Sequence, residues 1–391
     1  MLNTSLSPWP SFTQEEADAV SKVLLSNKVN YWTGTECREF EKEFAAFAGT
    51  QYTVALSNGT LALDVALKAM GIGAGDDVIV TSRTFLASAS CIVTAGANPV
   101  FADVDLNSQN ISAETIKAAL TPNTKAIIVV HLAGMPAEMD GIMDLAKEHD
   151  LWVIEDCAQA HGAKYKGKSV GSIGHVGAWS FCQDKIMTTG GEGGMVTTND
   201  KELWSKMWSY KDHGKSYDAV YHREHAPGFR WLHESFGTNW RMMEMQAVIG
   251  RIQLKRMPEW TARRQAHAAK LAESLGKFAS IRLIKVADYI EHAQYKFYAF
   301  VKPEHLKEGW TRDRIVSELN ARKVPCYQGS CSEVYLEKAF DNTPWRPKER
   351  LKNAVELGDT SLMFLVHPTL TDDEIAFCKE HIEAVLAEAT A

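Results

Sequence analysis

The residues with the clearest chemical promise in this 391-residue chain surround one lysine. An apolar run over 176–182 ends in Gln183-Asp184-Lys185. Thr188-Thr189-Gly190-Gly191-Glu192-Gly193-Gly194 follows, and 195–198 reads as a second strand. This order puts one amine just behind a strand end, at the mouth of a glycine-rich turn. An amine held in a pocket there can attack a carbonyl and form a Schiff base. The same order also fits a surface lysine in a hairpin loop.

Other segments carry groups that could serve such an amine. Ser57-Asn58-Gly59-Thr60 joins a strand over 53–56 to a helix over 61–70. Free backbone N–H groups at that helix start suit a phosphate, or Ser57 or Asn58 simply caps the helix. A strand over 151–154 runs into Glu155-Asp156, where a carboxylate needs a partner. A protonated ring nitrogen, a magnesium ion or a helix start would each provide one. Phe85 ends another strand and reads as a lid for a planar ring or as core. Asn30-Tyr31-Trp32-Thr33-Gly34 reads as a packed loop or as a wall for a polar ligand. Gly162 to Ser169 matches the pattern of a phosphate-binding loop, but Val170-Gly171-Ser172-Ile173-Gly174 cannot continue it as a helix, so a hairpin turn is expected.

The elements that must position these groups alternate. Strands over 53–56, 78–81, 100–104, 126–131 and 151–154 are separated by helices over 61–70, 87–94, 113–120 and 138–149. That alternation predicts an α/β fold with a mostly parallel sheet covered on both faces, its ligand outside the carboxyl ends of the strands. Residues 211–238 are expected to be irregular. A mainly helical stretch over 242–278, broken near Pro258, should lead into a smaller α+β domain. The expected division is 1–250 and 251–391.

A net charge of -7 without a basic block argues against nucleic-acid binding. No apolar run reaches the roughly 18 residues of a membrane helix. The start, Met1-Leu2-Asn3-Thr4-Ser5, lacks signal-peptide character, so a cytoplasmic protein is expected. Seven scattered cysteines without a Cys-x-x-Cys pair read as reduced thiols, with no metal site.

Taken together, these motifs resemble the DegT/StrS family of nucleotide-sugar aminotransferases, which have the aspartate-aminotransferase fold (fold type I) and use pyridoxal 5'-phosphate. The resemblance runs through Ser57-Asn58-Gly59-Thr60-Leu61, Thr84-Phe85-Leu86-Ala87-Ser88, Pro99 to Asp105, His131-Leu132 and Glu155-Asp156-Cys157-Ala158-Gln159-Ala160-His161-Gly162. Ser180-Phe181, Lys185, Thr189-Gly190, Glu192-Gly193-Gly194, Asn239 and Arg241-Met242 extend it. It implies a seven-stranded, mostly parallel sheet in the large domain.

By that resemblance Lys185 is the Schiff-base lysine and proton carrier, and Asp156 pairs with the pyridine nitrogen. Phe85 stacks on the ring and Gln159 lies by its face or 3-hydroxyl. Asn58, Gly59, Thr60 and Ser180 hold the phosphate. Asn239 reaches the phosphate of a neighbouring subunit in a homodimer. Arg83, His213 and Tyr31 are candidates for the sugar or its pyrophosphate; for Arg83 and His213, structural hydrogen bonding is the other reading. The implied reaction moves an amino group from L-glutamate to a UDP-4-keto-6-deoxy-N-acetylhexosamine, for bacillosamine-like surface glycans such as O-antigen. A 3-keto or dTDP-sugar substrate, or sugar dehydration, is the alternative. Relatives that dehydrate carry histidine at the lysine position, so Lys185 favours amino transfer. Two departures stand out: Asn58 where Ser is common, and an extra glycine in Gly190-Gly191-Glu192.

Overall fold

A computed structural model describes residues 6–228 and 230–391. The start Met1–Ser5, read above as lacking a signal peptide, and Phe229 lie outside the described residues. The first nine strands are β1 (Tyr52–Leu56), β2 (Asp77–Thr81), β3 (Asn98–Ala102), β4 (Thr124–Val130), β5 (Trp152–Asp156), β6 (Lys164–Tyr165), β7 (Lys168–Ser169), β8 (Val176–Ser180) and β9 (Gly194–Thr198). Helices α1 (Gln14–Leu25), α2 (Glu36–Ala48), α3 (Gly59–Ala69), α4 (Ala87–Thr94), α5 (Ala113–Ala119), α6 (Met139–Glu148), α7 (Lys201–Tyr210) and α8 (Tyr217–Tyr221) accompany them.

Seven of these strands form one sheet in the order β1-β9-β8-β5-β4-β2-β3, in which only β9 runs antiparallel to its neighbours. The β-branched runs Val78-Ile79-Val80 and Ile127-Ile128-Val129-Val130 are buried throughout, as a sheet covered on both faces requires. One core, around Val54, Leu67, Ile128 and Trp208, packs α3, α4 and α7 on one face. A second, around Ile127, Val129, Ile142 and Val153, fills the other. Because β1, β2, β5 and β8 run the same way, residues 57–60, 82–85, 156–159 and 181–185 leave the same edge of the sheet. The phosphate-loop look-alike is the tight hairpin β6–β7.

Two expectations about the middle of the chain are corrected. The break near Pro258 is absent, because α9 (Glu244–Leu275) continues through it for 32 residues. A proline inside a helix costs about 3 kcal/mol or more. Burial of Leu254, Met257, Trp260, His267 and Leu271 along α9 offsets that cost. The segment 211–238 is also not wholly irregular: besides α8, bridges Asp212↔Asn239 and Lys215↔His233 fold it back on itself.

The C-terminal part adds β10 (Ile281–Leu283), β11 (Ile290–Glu291), β12 (Phe297–Val301), β13 (Cys326–Tyr327) and β14 (Ser361–Phe364), with α10 (Arg312–Ala321), α11 (Lys352–Thr360) and α12 (Asp372–Ala389). Its four-stranded sheet has the order β10-β12-β14-β13. Strand β11 pairs with β6, so a strand from this part also seals against the first. All seven cysteines are free thiols. No helix among the described residues is long and apolar enough to cross a membrane.

Candidate active site

The strand ends at that edge enclose a cavity of about 600 Å³, lined by Asn58, Gly59, Thr60, Phe85, Asp156, Gln159, Ser180 and Lys185 among others. Eight residues singled out in the sequence therefore meet in one place.

The turn after β1 is fixed from two sides. Asn58 Oδ1 accepts from Leu61 N at 3.0 Å and caps α3, while Ser57 N donates to Trp240 O at 3.0 Å. Gly59 opens α3 where it touches β8, and a Cβ on Gly59 would stand 2.5 Å from Ser180 Cβ. Only glycine lets the helix start and Ser180 share this corner. The first N–H groups of α3 have no partner within the helix, so the corner favours an anion.

Asp156 ends β5 and is buried. Its Oδ2 accepts from Ser88 Oγ at 2.8 Å and its Oδ1 from Ala158 N at 3.1 Å. Ser88 is itself paired with Thr84 Oγ1 at 2.9 Å. Burial pushes the Asp156 carboxyl up, against the lowering effect of Ser88, Ala158 and the Lys185 charge. Among the described residues no basic side chain forms an ion pair with it. Its neighbour Glu155 is matched instead, by His131 Nε2 at 2.9 Å and by the amides of Gly171, Ile173 and Gly174. Those bonds pin the 171–174 loop behind β5. Phe85, in the turn after β2, has 69% of its surface exposed at the cavity mouth.

Lys185 is half-buried, with its backbone held by Lys185 N to Cys182 O at 3.1 Å and by Trp9 Nε1 to Lys185 O at 2.9 Å. Its amine faces the Tyr295 ring, 5.6 Å from the centroid. The turn beyond it is ordered by hydroxyls: Thr188 Oγ1 donates to Phe181 O at 2.9 Å and Thr189 Oγ1 to Glu192 O at 2.6 Å. Gly190 and Gly191 take φ of 86° and 127°. Such values favour glycine, which accounts for two glycines in succession there.

Three sugar candidates sit elsewhere, and for each the expectation is corrected or redirected. Arg83 is fully buried and bonds Gln109 Oε1 at 3.1 Å and Ser361 Oγ at 2.8 Å. It ties β2 to β14 and does not line the cavity. Tyr31 is also in the core: its hydroxyl bonds Glu41 at 3.2 Å and Trp208 Nε1 at 3.2 Å, and Lys211 Nζ lies 3.3 Å from the ring centroid. His213 is exposed on the 211–238 segment, outside this chain's own cavity. Asn239 is exposed as well and is not part of that cavity. Ser88, Tyr295 and Lys296 carry no local sequence signal for a role in the site. Ser88 was visible in Thr84-Phe85-Leu86-Ala87-Ser88, but nothing local linked it to Asp156, 68 positions away.

The family model of the DegT/DnrJ/EryC1/StrS aminotransferases matches residues 10–383, and the chain belongs to that family. The X-ray structure of the aminotransferase from Psychrobacter cryohalolentis superposes with a TM-score of 0.97 at 64% identity, over 98% of this chain and 99% of that one. The spore coat polysaccharide biosynthesis protein SpsC of Bacillus subtilis (strain 168) is 35% identical, covering 96% of this chain and 95% of its own. GDP-perosamine synthase of Escherichia coli O157:H7 is 33% identical, over 95% and 96%. Further relatives are named for dTDP- and UDP-linked sugars. The chain is thus a pyridoxal-phosphate-dependent nucleotide-sugar aminotransferase, acting on a keto sugar with an amino donor.

The cavity fits that cofactor. A buried carboxylate engaged by no basic side chain suits a protonated ring nitrogen, and an exposed phenyl ring suits a planar face. The Asn58-Gly59-Thr60 start of α3 suits a phosphate.

Proposed function

We propose that the chain aminates C4 of a UDP-linked 4-keto-6-deoxy-N-acetylhexosamine, with glutamate as donor, for surface-glycan synthesis in the cytoplasm. The observation that supports the catalytic reading most is the shared cavity, which brings Lys185 together with Asp156 and the exposed Phe85. The substrate is supported by the resemblance of Asn30-Tyr31-Trp32-Thr33-Gly34, Thr81-Ser82-Arg83-Thr84-Phe85 and Lys211-Asp212-His213-Gly214-Lys215 to family members acting on such sugars. It is not supported by contacts in this chain's cavity, which Arg83, Tyr31 and His213 do not line.

Pyridoxal 5'-phosphate, when bound, supplies a carbonyl that takes up an amine and a ring that draws off electrons. In this reading Lys185 holds it and carries a proton to or from the substrate carbon. Asp156, kept in place by Ser88 and Ala158, holds the proton on the ring nitrogen. Phe85 covers one ring face, Gln159 lies beside the ring, and Asn58, Gly59, Thr60 and Ser180 receive the phosphate. Asn239 of a second copy completes the phosphate site, which would make the working unit a homodimer.

A 3-keto or dTDP-linked substrate is the competing reading, favoured by the relatives named for dTDP-sugars and for a 3-dehydro UDP-sugar. Release of 2-oxoglutarate from glutamate decides between them. The UDP-4-keto sugar should give the highest kcat/KM in a panel with dTDP-4-keto and UDP-3-keto sugars. A higher value for either of the others would overturn the assignment.

A further inference from the structure

A second cavity, of about 510 Å³, adjoins the first across Thr84, Phe85, Gln159, Asp184 and Lys185. Its far wall comes from the C-terminal part and includes Tyr295, Lys296, Tyr298 and Ser330. The basic side chains lining these two cavities are Lys185 and Lys296. Both amines stand over the Tyr295 ring, 5.6 Å and 4.6 Å from its centroid.

The backbone holds Lys296 at that distance. Tyr295 N donates to Ala133 O at 2.9 Å and Ala293 N to Gly134 O at 2.9 Å. Arg264 Nη1 donates to Tyr295 O at 3.3 Å. Ala133 N in turn donates to Gln159 Oε1 at 2.7 Å, so the segment before β12 that carries Lys296 is coupled to a wall of the first cavity.

Asp184, the acid that acts on the Lys296 amine, accepts the Tyr295 hydroxyl at 2.5 Å. Among the described residues no ion pair is formed by Lys296. Burial, with Arg264 and Lys185 as like-charged neighbours, outweighs Asp184 and brings its amine down to about 8. Lys296 is half-buried at the cavity wall, and a partly desolvated ammonium in a cleft is stabilised when an anionic partner arrives, so such groups mark candidate binding sites. The amino donor and the nucleotide sugar both bring anionic oxygens to this cleft, and Lys185 is committed to chemistry.

We propose that Lys296 is the anion receptor of the cleft, binding a carboxylate or diphosphate oxygen of the substrate while that substrate reacts beside Lys185. The inference rests on the functional reading above for the identity of the substrate, but its test does not need turnover. Calorimetry on the cofactor-loaded enzyme would use 2-oxoglutarate for the carboxylate and UDP for the diphosphate. The parent should bind at least one probe, and Lys296→Gln should weaken that probe by about 10- to 100-fold, the range for a lost charge-assisted hydrogen bond. Lys296→Arg should restore most of the affinity. Lys296→Met keeps the apolar stem and is read the same way if the Gln variant does not hold cofactor. Loss with 2-oxoglutarate assigns the carboxylate; loss with UDP assigns the diphosphate. The proposal is overturned if the parent binds neither probe, or if both charge-removing variants match the parent with both. A failed turnover assay alongside Lys296-dependent binding would sink the functional reading alone.

Discussion

The cup at the strand ends and the 211–241 segment differ in how their polar groups are satisfied. In the cup, three polar groups that would meet the cofactor are held by a second residue: Asp156 by Ser88, Asn58 by the start of α3, and Gln159 by Ala133. The 211–241 segment is anchored at its root and along α8, where Tyr217 packs on Trp204 and Trp208 and Ala219 is buried. Asp212 is buried and pairs with Arg241 at 2.7 Å and Lys215 at 2.9 Å. Beyond that root, Trp231 and Phe236 are 92% and 99% exposed, and His213 and Asn239 face outward. The cup brings Lys185, Asp156 and the start of α3 together within one chain. An anchored segment with open aromatic rings suits a surface that a second copy completes.

The contrast can be broken at several points. The largest effect is expected for Asp156→Asn, which keeps the shape but removes the charge proposed to hold the ring proton. Its kcat should fall by about 100- to 1,000-fold, the cost of removing one preorganised electrostatic contact. An unchanged kcat would remove Asp156 from the mechanism. Gly59→Ala forces a Cβ against Ser180. Overpacking of this kind costs about 1–3 kcal/mol, so cofactor affinity should fall about tenfold in an equilibrium titration, with the fold intact by circular dichroism. Asn239→Ala removes one proposed hydrogen bond, so cofactor affinity should drop by about threefold to tenfold. No change there would remove Asn239 from the phosphate site, and an active monomer by sedimentation would remove the dimer.

A pH effect of similar or smaller size is expected for anion binding. Lys296 faces Asp184 and Lys185 from the turn after β8, Arg264 from α9, and the adjoining Tyr295 and His367. Its amine is charged below about 8, so affinity for the anionic probe should decline as pH rises through that value. Flat affinity from pH 7 to 9 would contradict this.

The strands were legible in the sequence because they are local, whereas the residues of the cup were assigned through the family resemblance. The seven strands of the large sheet and the turns at their ends could be read from short runs such as Val78-Ile79-Val80 and Ser57-Asn58-Gly59-Thr60. Arg83 and Tyr31 misled because polar side chains near a site look functional until their distant partners are known. Those partners, Ser361 for Arg83 and Trp208 for Tyr31, lie 278 and 177 positions away. Lys296 was missed for the same reason: Tyr295, which brings it to the site, meets Asp184 across 111 positions. Pro258 misled because propensity is local, while the burial that keeps α9 continuous through it is tertiary.

Two lysines line the joined cavities, and only one of them is assigned to the cofactor. The direct test is borohydride reduction of the cofactor-loaded enzyme, followed by peptide mass spectrometry. A yellow protein is expected before reduction, with a pyridoxyl mass on the peptide containing Lys185 afterwards. The same mass on Lys296, or no adduct on either lysine, would contradict that assignment.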